Sequence, residues 1–161
     1  DWSFTVKGEQ AFGIVLAENG FLVALLTVVI TKWMSRYKER NVFVFSSVIY
    51  AISIVLFSQT HWIWGFIIAM AVFTFAELMG AGIQQSFVSK LAPEHMRGQY
   101  FAAASLRFTI SRTIAPLSIP LTVLIGYEWT FFVLCLLALA SAGLYWLMFY
   151  SFEKKTALDP S

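Results

Sequence analysis

Four charged side chains stand inside long apolar runs of this sequence: Glu18, Glu77, Arg107 and Arg112. A charge at bilayer depth costs about 2.5–3.5 kcal/mol even on the lenient insertion scale, so it normally faces a protein interior or a water-filled path. A carboxylate held away from water is less costly neutral than charged, which suits Glu77, and after it Glu18, to carrying a proton. Arg107 and Arg112 keep their charge and are candidates for substrate binding or charge pairing. Two amides join them: Asn19 beside Glu18, and Gln84 seven residues after Glu77 on a helical face that also carries Gly80 and Ala81. Such a stripe suits either close helix packing or a cavity wall.

Other chemistry is excluded. No Gly-x-Ser-x-Gly, Ser-x-x-Lys or His-Glu-x-x-His pattern and no glycine-rich phosphate loop occurs, so an enzyme is not expected. His61 and His95 fall in separate polar breaks, and no metal-ligand cluster or cofactor motif is present. The single cysteine, Cys135, lies in an apolar run and reads as a small buried hydrophobe. A net charge of +2 gives no reason to expect a nucleic-acid partner.

The elements that hold these residues follow from composition. Of 161 residues, 59% are hydrophobic and 12% charged, against about 25% charged in a soluble domain. Lipid solvates that much apolar surface and water does not, so the expected class is an all-α polytopic membrane protein. Five runs are long enough to cross about 30 Å of hydrocarbon: roughly 10–33, 42–58, 62–89, 98–125 and 127–152. Basic residues close the first run, Gln59-Thr60-His61 the second, and Ala92-Pro93-Glu94-His95-Met96-Arg97-Gly98 the third. Pro116 and Pro120 each remove a backbone donor from the fourth run and are expected to bend it. Ser105, Thr109, Ser111, Thr113 and Ser118 make it the most polar run and the one most expected to line a cavity.

Orientation rests on the basic residues. Lys32, Arg36, Lys38, Arg40, Lys90, Arg97, Lys154 and Lys155 fall on one side of the five spans, and Lys7 alone on the other. The positive-inside rule puts the larger group, and the C-terminus, in the cytoplasm, and the N-terminus of this chain outside. At 1.5 Å per residue from the cytoplasmic ends, Glu18 is ~22 Å deep, Glu77 ~18 Å, Arg112 ~21 Å and Arg107 ~14 Å. Arg112 with Glu77 or Glu18 is therefore the first pairing to consider. The two arginines are about 140° apart on a helix, so they do not share one direction.

Several of these stretches resemble one family. Leu91-Ala92-Pro93-Glu94 followed by Arg97-Gly98 resembles the cytoplasmic loop between helices ten and eleven of major facilitator superfamily transporters. Asn19 resembles an asparagine of helix eight, Glu77 the helix-ten glutamate of the drug:proton antiporter branch, and Ala115-Pro116 the Gly-Pro of helix eleven. The basic loop Thr31–Arg40 is similar to the second copy of that family's loop motif. Departures are Ala76 and Gly82, where glycine and proline are common, and Arg112, which favours an anionic or zwitterionic ligand.

The resemblance implies helices eight to twelve of a twelve-helix fold, most of its C-terminal six-helix half. The N-terminal half and one further helix would lie outside this chain, and a start at Asp1 rather than Met fits a piece of a longer polypeptide. It implies a secondary transporter that moves a small solute by alternating access, with protons, the lipid bilayer and its own N-terminal half as partners. Proton-coupled efflux through an antiporter is the leading expectation, with Pro93, Glu94, Arg97 and Gly98 as the loop motif. Solute uptake by the same superfamily, or a non-transporting five-span sensor or assembly module, are the alternatives.

Overall fold

The computed structural model describes residues 8–158, with side chains from Gln10 to Ser151. Lys7 lies outside the described residues, as do the side chains of Lys154 and Lys155. Three unbroken helices come first: α1 (Gly8–Met34), α2 (Glu39–Gln59) and α3 (Ile63–Leu91). The shortest has 21 residues, about 30 Å, enough to cross a bilayer. α3 stops where proline dictates. Ala92, the residue before Pro93, is extended at φ −80°, ψ 120°, because the proline ring excludes the helical region there.

A 3₁₀ turn (Glu94–Met96) leads into α4 (Arg97–Ile114). A second such turn, Ala115–Leu117, separates α4 from α5 (Ser118–Ile125). Pro116 lacks the N–H that would continue the ladder and its ring crowds the preceding turn, so the backbone tightens there. Gly126, at φ +87°, takes a conformation open to glycine and ends α5, and α6 (Tyr127–Leu158) begins at once. Among the described residues there is no strand, and five spans are long and apolar enough to cross a membrane, α4 and α5 forming one of them.

α2 packs at length on both α3 and α6, and α1 at length on α3 alone. The core they share lies toward one end: Ile30 and Met34 of α1, Val42 and Phe43 of α2, Leu78, Met79 and Ile83 of α3, and Phe149 of α6. Phe43 anchors it, stacked on Tyr145 at 4.7 Å between ring centroids and close to Phe149 at 5.7 Å. Elsewhere large apolar side chains point outward, as Val123 does at 83% exposure, which lipid tolerates and water does not. The α4–α5 span meets chiefly its chain neighbours, α3 and α6, and buries none of its residues.

Candidate functional site

The core fixes α1 against α3, and just beyond its edge the two helices exchange polar contacts. Asn19 Nδ2 donates to Thr74 Oγ1 at 2.9 Å and to Glu77 Oε2 at 3.2 Å. Thr74 is 1% exposed, and its own hydroxyl donates to Met70 O at 2.9 Å. Thr74 and Glu77 are three residues apart, one turn of α3, so both face the same point on α1. Tyr50 of α2 lies within electrostatic reach of Glu77, of Arg107 on α4 and of Tyr145 on α6. Polar groups of α1 and α3 thus meet at one point, with Tyr50 of α2 in its neighbourhood. Glu77 and Asn19 were readable as candidates; Thr74 and Tyr50 were not. Thr74 carried a signal in its i−3 spacing from Glu77, whereas Tyr50 sits in an apolar run and only the packing of α2 on α3 brings it near.

The remaining candidates lie elsewhere. Glu18 stands about 100° around α1 from Asn19. Its Oε2 is sealed from solvent and has no hydrogen-bond partner among the described residues. Arg107 and Arg112 are exposed on α4, and no carboxylate of the described residues lies within ion-pair distance of either. The guanidinium of Arg107 lies 4.6 Å from the centre of the Phe108 ring. Arg112 occupies the last turn of α4, before the Pro116 break. Gln84 points toward α4 and lines a cavity of about 40 Å³ with Phe101, Ser105 and Phe108. Gly80 faces α2: a Cβ there would lie 3.4 Å from Ser46 Oγ.

Pro93, Glu94, Arg97 and Gly98 form an exposed corner between α3 and α4. Arg97 opens α4, where its charge opposes the positive end of the helix dipole, so it does not stabilise its own helix. At the same end of the bundle Lys90 of α3 pairs with Glu39 of α2, a contact no sequence motif announced. Among the described residues no group of three His, Cys, Asp or Glu side chains is placed to hold a metal ion.

Comparison with known proteins agrees with this architecture. Residues 3–160 match the Major Facilitator Superfamily. The chain is 58% identical over 159 residues to a "Na(+), Li(+), K(+)/H(+) antiporter" of Planococcus maritimus, covering 99% of this chain and 37% of that protein. It is 29% identical over 142 residues to the "Uncharacterized MFS-type transporter YhjO" of Bacillus subtilis (strain 168), covering 88% of this chain and 35% of that protein. No solved structure matches it. The chain therefore spans little more than a third of the length of these relatives. With a match across nearly all its residues and five apolar spans in the expected order, this chain belongs to the major facilitator superfamily.

Proposed function

We propose that this chain is the C-terminal part of a proton-coupled antiporter that exports monovalent cations by alternating access. The single observation that carries the reading is the identity of 58% across 99% of the chain to a protein named for Na⁺, Li⁺, K⁺ and H⁺ exchange. The site chemistry supports it. Hard monovalent cations take oxygen ligands, and Glu77 offers a carboxylate at mid-membrane depth with the Thr74 hydroxyl one turn away. One carboxylate holds either a proton or a cation, and that competition is what exchange requires. An anionic or zwitterionic substrate would call for a guanidinium at the site; Arg107 and Arg112 are instead exposed on α4, neither within ion-pair distance of a described carboxylate.

In this reading Glu77 is the coupling carboxylate, with Glu18 second, and the cytoplasm lies on the side of the Arg36–Arg40 and Pro93–Gly98 loops. The N-terminal half of the same polypeptide covers the α4–α5 span, which buries nothing within this chain. Arg97, which opposes its own helix dipole, meets a helix C-terminus of that half and favours one of the two access states.

The test uses the full-length polypeptide in everted membrane vesicles holding an acid interior, monitored with a pH-sensitive dye. Na⁺, Li⁺ or K⁺ added outside is expected to release protons from the vesicles, and Glu77→Gln to abolish the release. Absence of cation-driven proton movement with all three ions overturns the proposal.

A further inference from the structure

Asn19 makes both of its α3 contacts through one nitrogen, and the acceptors leave little choice. The hydroxyl hydrogen of Thr74 is committed to Met70 O, so toward α1 its Oγ1 only accepts. An ionised Glu77 also only accepts. Two acceptors one turn apart therefore face a single –NH₂ group, and both amide hydrogens are used. A protonated Glu77 changes the balance. It keeps an oxygen that can accept from Nδ2, but that bond is now neutral and weaker; where the new O–H turns toward α1, its acceptor is Asn19 Oδ1, reached by turning the amide over, which takes Nδ2 away from Thr74 as well.

We infer that Asn19 is the positioning residue for Glu77, and that their hydrogen bond fastens α1 to α3 while Glu77 is ionised and loosens when a proton arrives. The inference rests on the reading of Glu77 as the coupling carboxylate. A hydrogen bond to an ionised group is about twice as strong as a neutral one, so the tie is tightest in the ionised state. Its place gives it leverage. α1 packs at length on no described helix but α3, so a change in this contact acts on the principal attachment of α1 within the described residues. Tyr50, the group of α2 within electrostatic reach of Glu77, and the Arg107 and Tyr145 that lie within reach of Tyr50, do not hydrogen-bond to Asn19 among the described residues. The amide is thus free to respond to Glu77.

The experiment compares full-length wild type, Asn19→Ala, Asn19→Gln, Glu77→Gln and the Asn19→Ala/Glu77→Gln double variant in proteoliposomes. Na⁺-driven proton movement gives kcat and KM, and thermal unfolding of each purified full-length variant reports the strength of the α1–α3 contact. Asn19→Ala is expected to lower kcat about tenfold, the factor of one charged hydrogen bond, with KM for Na⁺ little changed. Asn19→Gln, which keeps the amide, is expected to recover most of the loss. In the Glu77→Gln background, where Asn19 donates to a neutral oxygen, Asn19→Ala is expected to lower the thermal midpoint by about half as much as it does with Glu77 present. If Asn19→Ala does not fold, Asn19→Leu, which is close in size and carries no donor, takes its place. Wild-type kcat in the donor-less variant overturns the inference, and so does an equal drop of the thermal midpoint in both backgrounds, the mark of a role that does not run through the charge of Glu77. A wild type that moves no protons with cations overturns the proposed function, and this inference with it.

Discussion

The residue scale turns on which charges meet. Glu77 takes its hydrogen bond from a neutral amide, Asn19, and no arginine of α4 reaches it. Breaking a buried ion pair by removing one partner costs about 3–5 kcal/mol, whereas Gln at position 77 keeps an oxygen that accepts from Asn19 and exchanges a charged hydrogen bond for a neutral one, a loss of about 1 kcal/mol. Glu77→Gln is therefore expected to lose proton coupling while its thermal midpoint stays within a few degrees of wild type. Arg112→Gln added to it is expected to leave that midpoint where it is. Thermal unfolding of the purified full-length protein, followed by tryptophan fluorescence, checks both. A large drop in Glu77→Gln that Arg112→Gln restores would establish a Glu–Arg pair in its place. Glu18, with a sealed and unpartnered Oε2, is the next residue to exchange if Glu77→Gln still couples.

Among the elements, α1 and α3 decide the geometry of the site, and their separation is set by a glycine. A Cβ placed at Gly82 would lie 2.6 Å from Thr31 Oγ1 and 2.9 Å from its Cγ2, closer than real atoms approach. Thr31 is β-branched and has few rotamers with which to yield, so the helices must part. Overpacking of this kind costs about 1–3 kcal/mol. Gly82→Ala is thus expected to lower the thermal midpoint by several degrees, and Thr31→Ala on top to restore most of it. It is also expected to slow cation exchange, because Asn19 sits on the same helix pair as the bonds it makes to Thr74 and Glu77. Full stability in Gly82→Ala would show that α1 is not held at this distance. The fourth span has no such neighbour. Its Pro116 break and its unburied surface mark it as the part of this chain with most freedom to adapt to a partner.

On the scale of the whole molecule, the proposed orientation puts both basic corners, Arg36–Arg40 and Pro93–Gly98, in the cytoplasm. Replacing Cys135 and introducing His95→Cys in the full-length polypeptide gives one thiol at an exposed corner. An impermeant maleimide is expected to label it in everted vesicles and not in sealed cells; labelling from outside in cells reverses the topology. The Lys90–Glu39 pair ties the same end of α3 to α2, but it is exposed and worth at most about 1 kcal/mol, so it trims this edge rather than holding the bundle.

The sequence by itself determined the all-helical membrane class, the five apolar runs and the family. All three depend on quantities summed along the chain: apolar length against bilayer thickness, and the order and spacing of short motifs. It also put Glu77 and Asn19 at similar depths, because rise per residue converts position into depth. Depth says nothing of direction around a helix axis or of which helices are neighbours. Only the tertiary structure decided that Asn19 joins Glu77 and Thr74 while Arg112 stays outside ion-pair distance, that Tyr50 lies within electrostatic reach of Glu77, and that Gly82 sets how closely α1 approaches α3. The physical reason is that each of these contacts joins residues from different helices, far apart in sequence, and in a bilayer such pairings follow from side-chain packing and hydrogen bonding rather than from a hydrophobic pattern readable along one strand of text.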